Sequence, residues 1–190
     1  MGFLDILRGK RELKQPAADR LFAMSTAYVK LEMELNLKSS GQAAIVFQPL
    51  ATADFEGIVE DMEEVVRGTG GDTGTTVEAR DDEFGYRWMV LVDPDMEDLV
   101  VGVNGVSTAI QGGGYGERLL CAVFAFKDQR GGRVYWIYNY KRGAFYPFVP
   151  ASGAQQRDNE RELRLKAQVG MDLPVEADLE RWFPLWGAPI

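Results

Sequence analysis

Lys141 and Arg142 stand side by side at the end of a run of tyrosines, with Tyr138 and Tyr140 before them and Tyr146 after. Two adjacent cations can hold a phosphate or carboxylate through charge-assisted hydrogen bonds, and a nearby phenol can donate a proton. That would make a small pocket for an anionic ligand, or a small enzyme built around one. The same residues have a plainer use, an arginine stacked on aromatic rings and paired with helix carboxylates. Little other chemistry is open. The chain contains no histidine and a single cysteine, Cys121, so Ser-His-Asp and Cys-His nucleophile systems, histidine-bearing zinc sites and four-cysteine clusters all lack members. Cys121 lies in the apolar run 119–126, where burial raises a thiol's pKa and leaves little thiolate to react. No catalytic residue, cofactor or metal is expected.

Two further groups invite a chemical reading and receive a structural one. Glu56, Glu60, Asp61, Glu63 and Glu64 crowd one side of a helical pattern, but no histidine and no calcium-loop spacing accompanies them, so they read as a solvated face. The glycine-rich stretches 68–74 and 112–114 each follow a helix and precede a strand. A phosphate cradle needs the opposite order, with a helix N-terminus facing the anion. They read as a connector and as a helix stop.

The 190 residues carry a net charge of −8, enough chain for one domain with a well-buried core. The charge is uneven: residues 51–104 hold 15 acidic and 3 basic side chains, between mildly basic ends. An acidic middle argues against nucleic acid as a partner. No apolar run approaches the ~20 residues that span a bilayer. One cysteine cannot form an internal disulfide, and with no signal peptide in view a cytoplasmic location is expected.

The elements that must position these residues follow from periodicity. Leu21, Met24, Tyr28, Leu31 and Leu35 recur at helical spacing after Pro16. A turn at Ser39-Ser40-Gly41 then leads into a strand over 43–48, stopped by Pro49. A helix follows over 52–66, then strands over 75–80 and 85–92 around the turn Asp81-Asp82-Glu83. Asp93-Pro94-Asp95 opens a helix carrying Met96, Leu99, Val100, Val103, Val106 and Ile110. The strands 119–126 and 133–140 flank Gly131-Gly132 and form a hairpin. Gly143, Pro147 and Pro150 are expected to force the chain out of the sheet, and a last helix covers 157–169.

Both ends are unusual. Residues 1–15 form an amphipathic basic segment, with Phe3, Leu4, Ile6 and Leu7 ahead of Arg8, Lys10 and Arg11. Such a wedge suits docking to a partner or peripheral contact with a membrane surface. Residues 16–190 are expected to form a single α+β domain that includes the aromatic tail. In that tail, Trp182, Phe183 and Trp186 stand among prolines. They are expected to close over Phe145, Tyr146 and Phe148, because a water-soluble chain rarely leaves so much aromatic surface open. With Lys141 and Arg142 these residues make a candidate interaction surface.

The fold class is α+β, an antiparallel sheet with helices packed mainly on one face. Residues 43–126 match a ferredoxin-like split βαβ core with an added hairpin strand. A secretion-chaperone-like α+β fold is the alternative.

Several phrases resemble the PspA-associated protein PspAB family. They are Met1-Gly2-Phe3-Leu4-Asp5-Ile6-Leu7, Gly114-Tyr115-Gly116 with Leu120-Cys121, the segment 138–148, Arg157-Asp158-Asn159, Leu173-Pro174-Val175-Glu176 and residues 181–189. The likeness covers nearly the whole chain and is densest after Gly114. The resemblance implies a small cytoplasmic accessory protein of actinobacteria and some archaea, with no established catalytic activity. It would act as an adaptor in a PspA-type envelope (membrane) stress response, the phage shock protein system. Its partners would be a PspA-like protein and other members of that system, with peripheral contact at the inner face of the plasma membrane as an option.

Overall fold

A strand with no polar alternation needs cover on both faces, and the run around Cys121 receives it. The computed structural model describes residues 20–152 and 155–190. In it, β4 (Leu119–Lys127) lies inside the sheet between β1 (Lys38–Phe47) and β5 (Arg133–Asn139). With β2 (Thr76–Asp81), β3 (Arg87–Val92) and β6 (Ala144–Phe148), the order is β2-β3-β1-β4-β5-β6, and every neighbouring pair is antiparallel.

Four helices accompany the sheet among the described residues: α1 (Ala23–Met33), α2 (Ala53–Thr73), α3 (Met96–Gly112) and α4 (Asn159–Val169). Helix α2 crosses from β1 to β2, and α3 crosses from β3 to β4. Their apolar stripes, including Met24, Leu31, Phe55, Leu99, Val103 and Leu165, bury against Ile45, Met89, Phe124, Trp136 and Tyr138 on one sheet face. Each fully buried side chain of this size contributes roughly 1.5–3 kcal/mol. The opposite face, with Val46, Trp88, Cys121, Ile137, Tyr146 and Phe148, is covered by the C-terminal tail through Trp182, Ile190 and the partly buried Leu185 and Trp186. The expected α+β sheet with helices on one face is therefore what forms.

Four local expectations are corrected. Ser39-Ser40-Gly41 is not a turn; it lies inside β1, where the register against β4 jumps between Ser39 and Gln42. Gly41 has φ +72°, and a Cβ there would come within 3.2 Å of the Asp93 carbonyl oxygen, so this bulge suits glycine. Helix α2 does not stop at residue 66 but runs on to Thr73. Adding one more residue to a formed helix costs little beyond the ~1 kcal/mol of each glycine, and the chain breaks only at Gly74, φ +88°. The turn before β3 spans Asp82 to Tyr86, with Asp82 N–H donating to the Tyr86 carbonyl at 2.9 Å. Finally, residues 144–148 do not leave the sheet. They reverse and pair with β5 as an edge strand, Pro147 opposite Trp136, and an edge is where a strand tolerates proline.

Candidate functional site

The tail has almost no regular structure, yet each step along it is held. Its first part runs beside β6 with parallel pairing, Phe145 N–H donating to the Pro174 carbonyl and Glu176 N–H to the Phe145 carbonyl, both at 2.8 Å. Trp182 stacks on Tyr146 at 6.2 Å between ring centroids, and its Nε1–H donates to the Glu176 carbonyl at 3.1 Å. The Tyr146 hydroxyl donates to the Phe183 carbonyl at 3.1 Å, and Trp186 meets the Phe148 ring edge-on at 5.0 Å. At the end, the Tyr135 hydroxyl donates to the Ile190 carbonyl at 2.9 Å, and Arg80 donates to the Pro189 carbonyl at 2.6 Å.

One arginine ties the tail to helix α4. Arg157 donates from Nη1 to the Trp182 carbonyl at 2.6 Å and from Nε to the Glu162 carboxylate at 3.0 Å. It also lies over the Phe148 ring at 5.6 Å. Glu162 is buried, and burial pushes its carboxyl above the usual range, against the pull of Arg157 and of Val149 N–H. Such a pair is costly to break from one side only, because the remaining charge is left in the interior.

The structure splits the residues singled out from the sequence. Tyr138, Tyr140 and Phe145 lie in the core on the helix side, whereas Tyr146 and Phe148 lie on the tail side. Burial raises the Tyr140 phenol, with the Ser107 hydroxyl beside it pulling the other way. Arg142 donates from Nε to the buried Glu176 at 2.8 Å. This hydrogen bond holds the Glu176 carboxyl below its usual range despite desolvation. The five-residue anion pocket is thus not assembled: of its members only Lys141 and Tyr146 line a common cavity. The docking residues Phe3, Leu4, Ile6, Leu7, Arg8, Lys10 and Arg11 lie outside the described residues. On α2, Glu56, Glu60, Asp61 and Glu64 are exposed, as a solvated face requires.

The shared cavity measures about 380 Å³ and opens between the tail and the turn before β3. Its floor is the sheet: Val46, Trp88, Cys121 and Tyr146, all buried. One wall is Phe84 with Tyr86, the other runs from Phe183 to Trp186, and Asn139 and Lys141 close one end. Burial pushes the Cys121 thiol up to about 12, so this floor presents no thiolate at neutral pH. Burial also holds the Tyr146 phenol well above its ordinary value, although its hydrogen bond to Phe183 works in the opposite direction. Phe84 and Phe183 stand at the mouth with 62% and 59% of their surface exposed, which leaves two large apolar rings facing water.

Sequence reasoning missed the Phe84 side of this site. The signal was present: a phenylalanine between Asp82 and Gly85, in a turn that favours polar residues. Asp82 organises that turn, its Oδ1 accepting from the N–H groups of Phe84 and Tyr86 and its Oδ2 from Trp88 Nε1–H, all at 2.9 Å.

Comparison with known families finds one whose model, PspA associated protein B (PspAB), matches residues 1–190. No curated protein and no solved structure matches the chain.

Proposed function

This chain belongs to the PspA associated protein B family, and from that premise we propose that it is a non-catalytic adaptor in a PspA-type envelope stress response. It acts in the cytoplasm by protein–protein contact, and its basic segment at residues 1–15 gives it peripheral contact with the inner face of the plasma membrane. The observation that carries this reading is the family match over the whole chain, because the family name implies association with PspA. Two physical observations agree with it. The sequence holds no histidine, and its single thiol is pushed up to about 12 by burial, which leaves few groups able to move protons or attack a substrate near neutral pH. Exposed Phe84 and Phe183 flank a groove with Lys141 at its end, the kind of apolar surface with a polar rim at which proteins meet partners. No helix among the described residues is long and apolar enough to cross a membrane.

Co-purification tests the proposal. The full chain, expressed with a PspA-type protein from the same cell and carried through two affinity steps, retains that protein. Two folded proteins that elute separately at micromolar concentration would overturn the reading.

A further inference from the structure

We propose that the groove between the tail and the turn before β3 is a binding site for a small monocarboxylate with an aliphatic or aromatic body. This goes beyond the adaptor reading, which the family match carries, although both readings use the same groove.

Size and lining set the body of the ligand. A volume of about 380 Å³ falls at the lower end of the ~300–1,000 Å³ typical of small-molecule pockets. The floor of Val46, Trp88, Cys121 and Tyr146 is apolar, and aromatic side chains form much of both walls. An extended hydrocarbon or a single ring laid there would exchange water for ring faces and methyl groups.

The charged end follows from which polar groups remain free. Two charged side chains line the groove, Asp82 and Lys141. Asp82 is already engaged by three donors, the N–H groups of Phe84 and Tyr86 and Trp88 Nε1–H. The Tyr146 hydroxyl is engaged by the Phe183 carbonyl. Lys141 makes no ion pair with any described residue, while its neighbour Arg142 is held by Glu176. Asn139, two residues before Lys141, spends its Oδ1 on Arg142 N–H at 3.3 Å, which leaves its NH2 as a second donor. The unspent groups at that end of the groove are therefore a cation and an amide donor, the complement of a carboxylate. A cationic ligand would find Asp82 already satisfied and Lys141 opposing it.

Decanoate and decanol, titrated separately into the full chain by calorimetry below their aggregation limits, test this. Decanoate binds saturably, one per chain, and about 10-fold more tightly than decanol, the difference expected of one charge-assisted hydrogen bond. Lys141→Met, at an exposed position that keeps most of the hydrocarbon stem, brings decanoate to the level of decanol and leaves decanol binding unchanged. Phe84→Ser weakens both ligands alike. Equal affinity for acid and alcohol, a Lys141→Met protein that still prefers decanoate, or no saturable binding at millimolar ligand would each overturn the proposal. Binding that appears only after residues 1–15 are removed would also overturn it, by showing that the chain's own N-terminal segment occupies the groove. Retention of a PspA-type protein is scored separately, so either reading can fail without the other.

Discussion

The two faces of the sheet are covered by opposite means. On the helix side, four helices lay apolar stripes across Ile45, Phe124, Trp136 and Tyr138, and the helices satisfy their own backbone groups. On the other side an irregular tail is pinned by single contacts: Arg157 to Trp182, Tyr146 to Phe183, Tyr135 to Ile190. A helix covers continuously because its side chains recur every turn. An irregular strap covers only where a ring or a carbonyl happens to reach, and between those points it leaves the groove. One face is built for stability, and the other combines stability with a cavity.

Truncation on each face measures that difference, and the largest effect belongs to the helix side. Trp136 is fully buried there; Trp136→Ala costs about 3–5 kcal/mol, read by urea unfolding. Trp186 is only half-buried, against Phe148. Trp186→Ala costs about 2 kcal/mol and lowers the melting temperature by several degrees. Equal losses at the two positions would erase the distinction between the faces.

A smaller effect comes from pH. The hydrogen bond from Arg142 holds the Glu176 carboxyl below its unfolded value of 4.5. Its contribution is therefore complete above that value and is lost as pH falls through the lower, folded one. Glu162 is raised by burial, so its contribution has the opposite sign and weakens as pH rises from 4.5 through its folded value. Melting temperature followed from pH 7 to pH 3 should fall less steeply for Glu176→Gln than for the parent protein. Parallel curves would mean that Glu176 does not help hold the tail.

The same contrast explains what was legible in the sequence. The hairpin β4–β5 and helix α3 could be read because their patterns are periodic and their ends are marked, by Gly131-Gly132 and by Asp93-Pro94-Asp95, of which Asp95 forms the cap, its side chain accepting from Glu97 N–H at 2.7 Å. Closure of Trp182 and Trp186 over Tyr146 and Phe148 was legible from surface area alone, but the expectation fails for Phe183, which stays 59% exposed, and for Phe145, which faces the helices. Strand β6 was obscured because Pro147 reads as a breaker, and its tolerance at an edge depends on where the strand lies in the sheet. The bulge at Gly41 and the continuation of α2 through its glycines depend on distant contacts, which no local pattern reports. The groove could not be seen because its walls, Phe84 and Phe183, are almost a hundred residues apart in the chain.

Matched surface changes test most directly whether the tail face, with its groove, is where the partner binds. Val29 and Met33 on α1 are 63% and 75% exposed on the helix side, much as Phe84 and Phe183 are exposed at the groove. Val29→Glu with Met33→Glu, and Phe84→Glu with Phe183→Glu, add equal charge to the two faces with little effect on melting. The quantity to measure is the retention of a PspA-type protein by each. The account predicts that the helix-side pair binds as the parent protein does and that the groove-side pair loses the partner. Loss of the partner by the helix-side pair, with full retention by the groove-side pair, would contradict it.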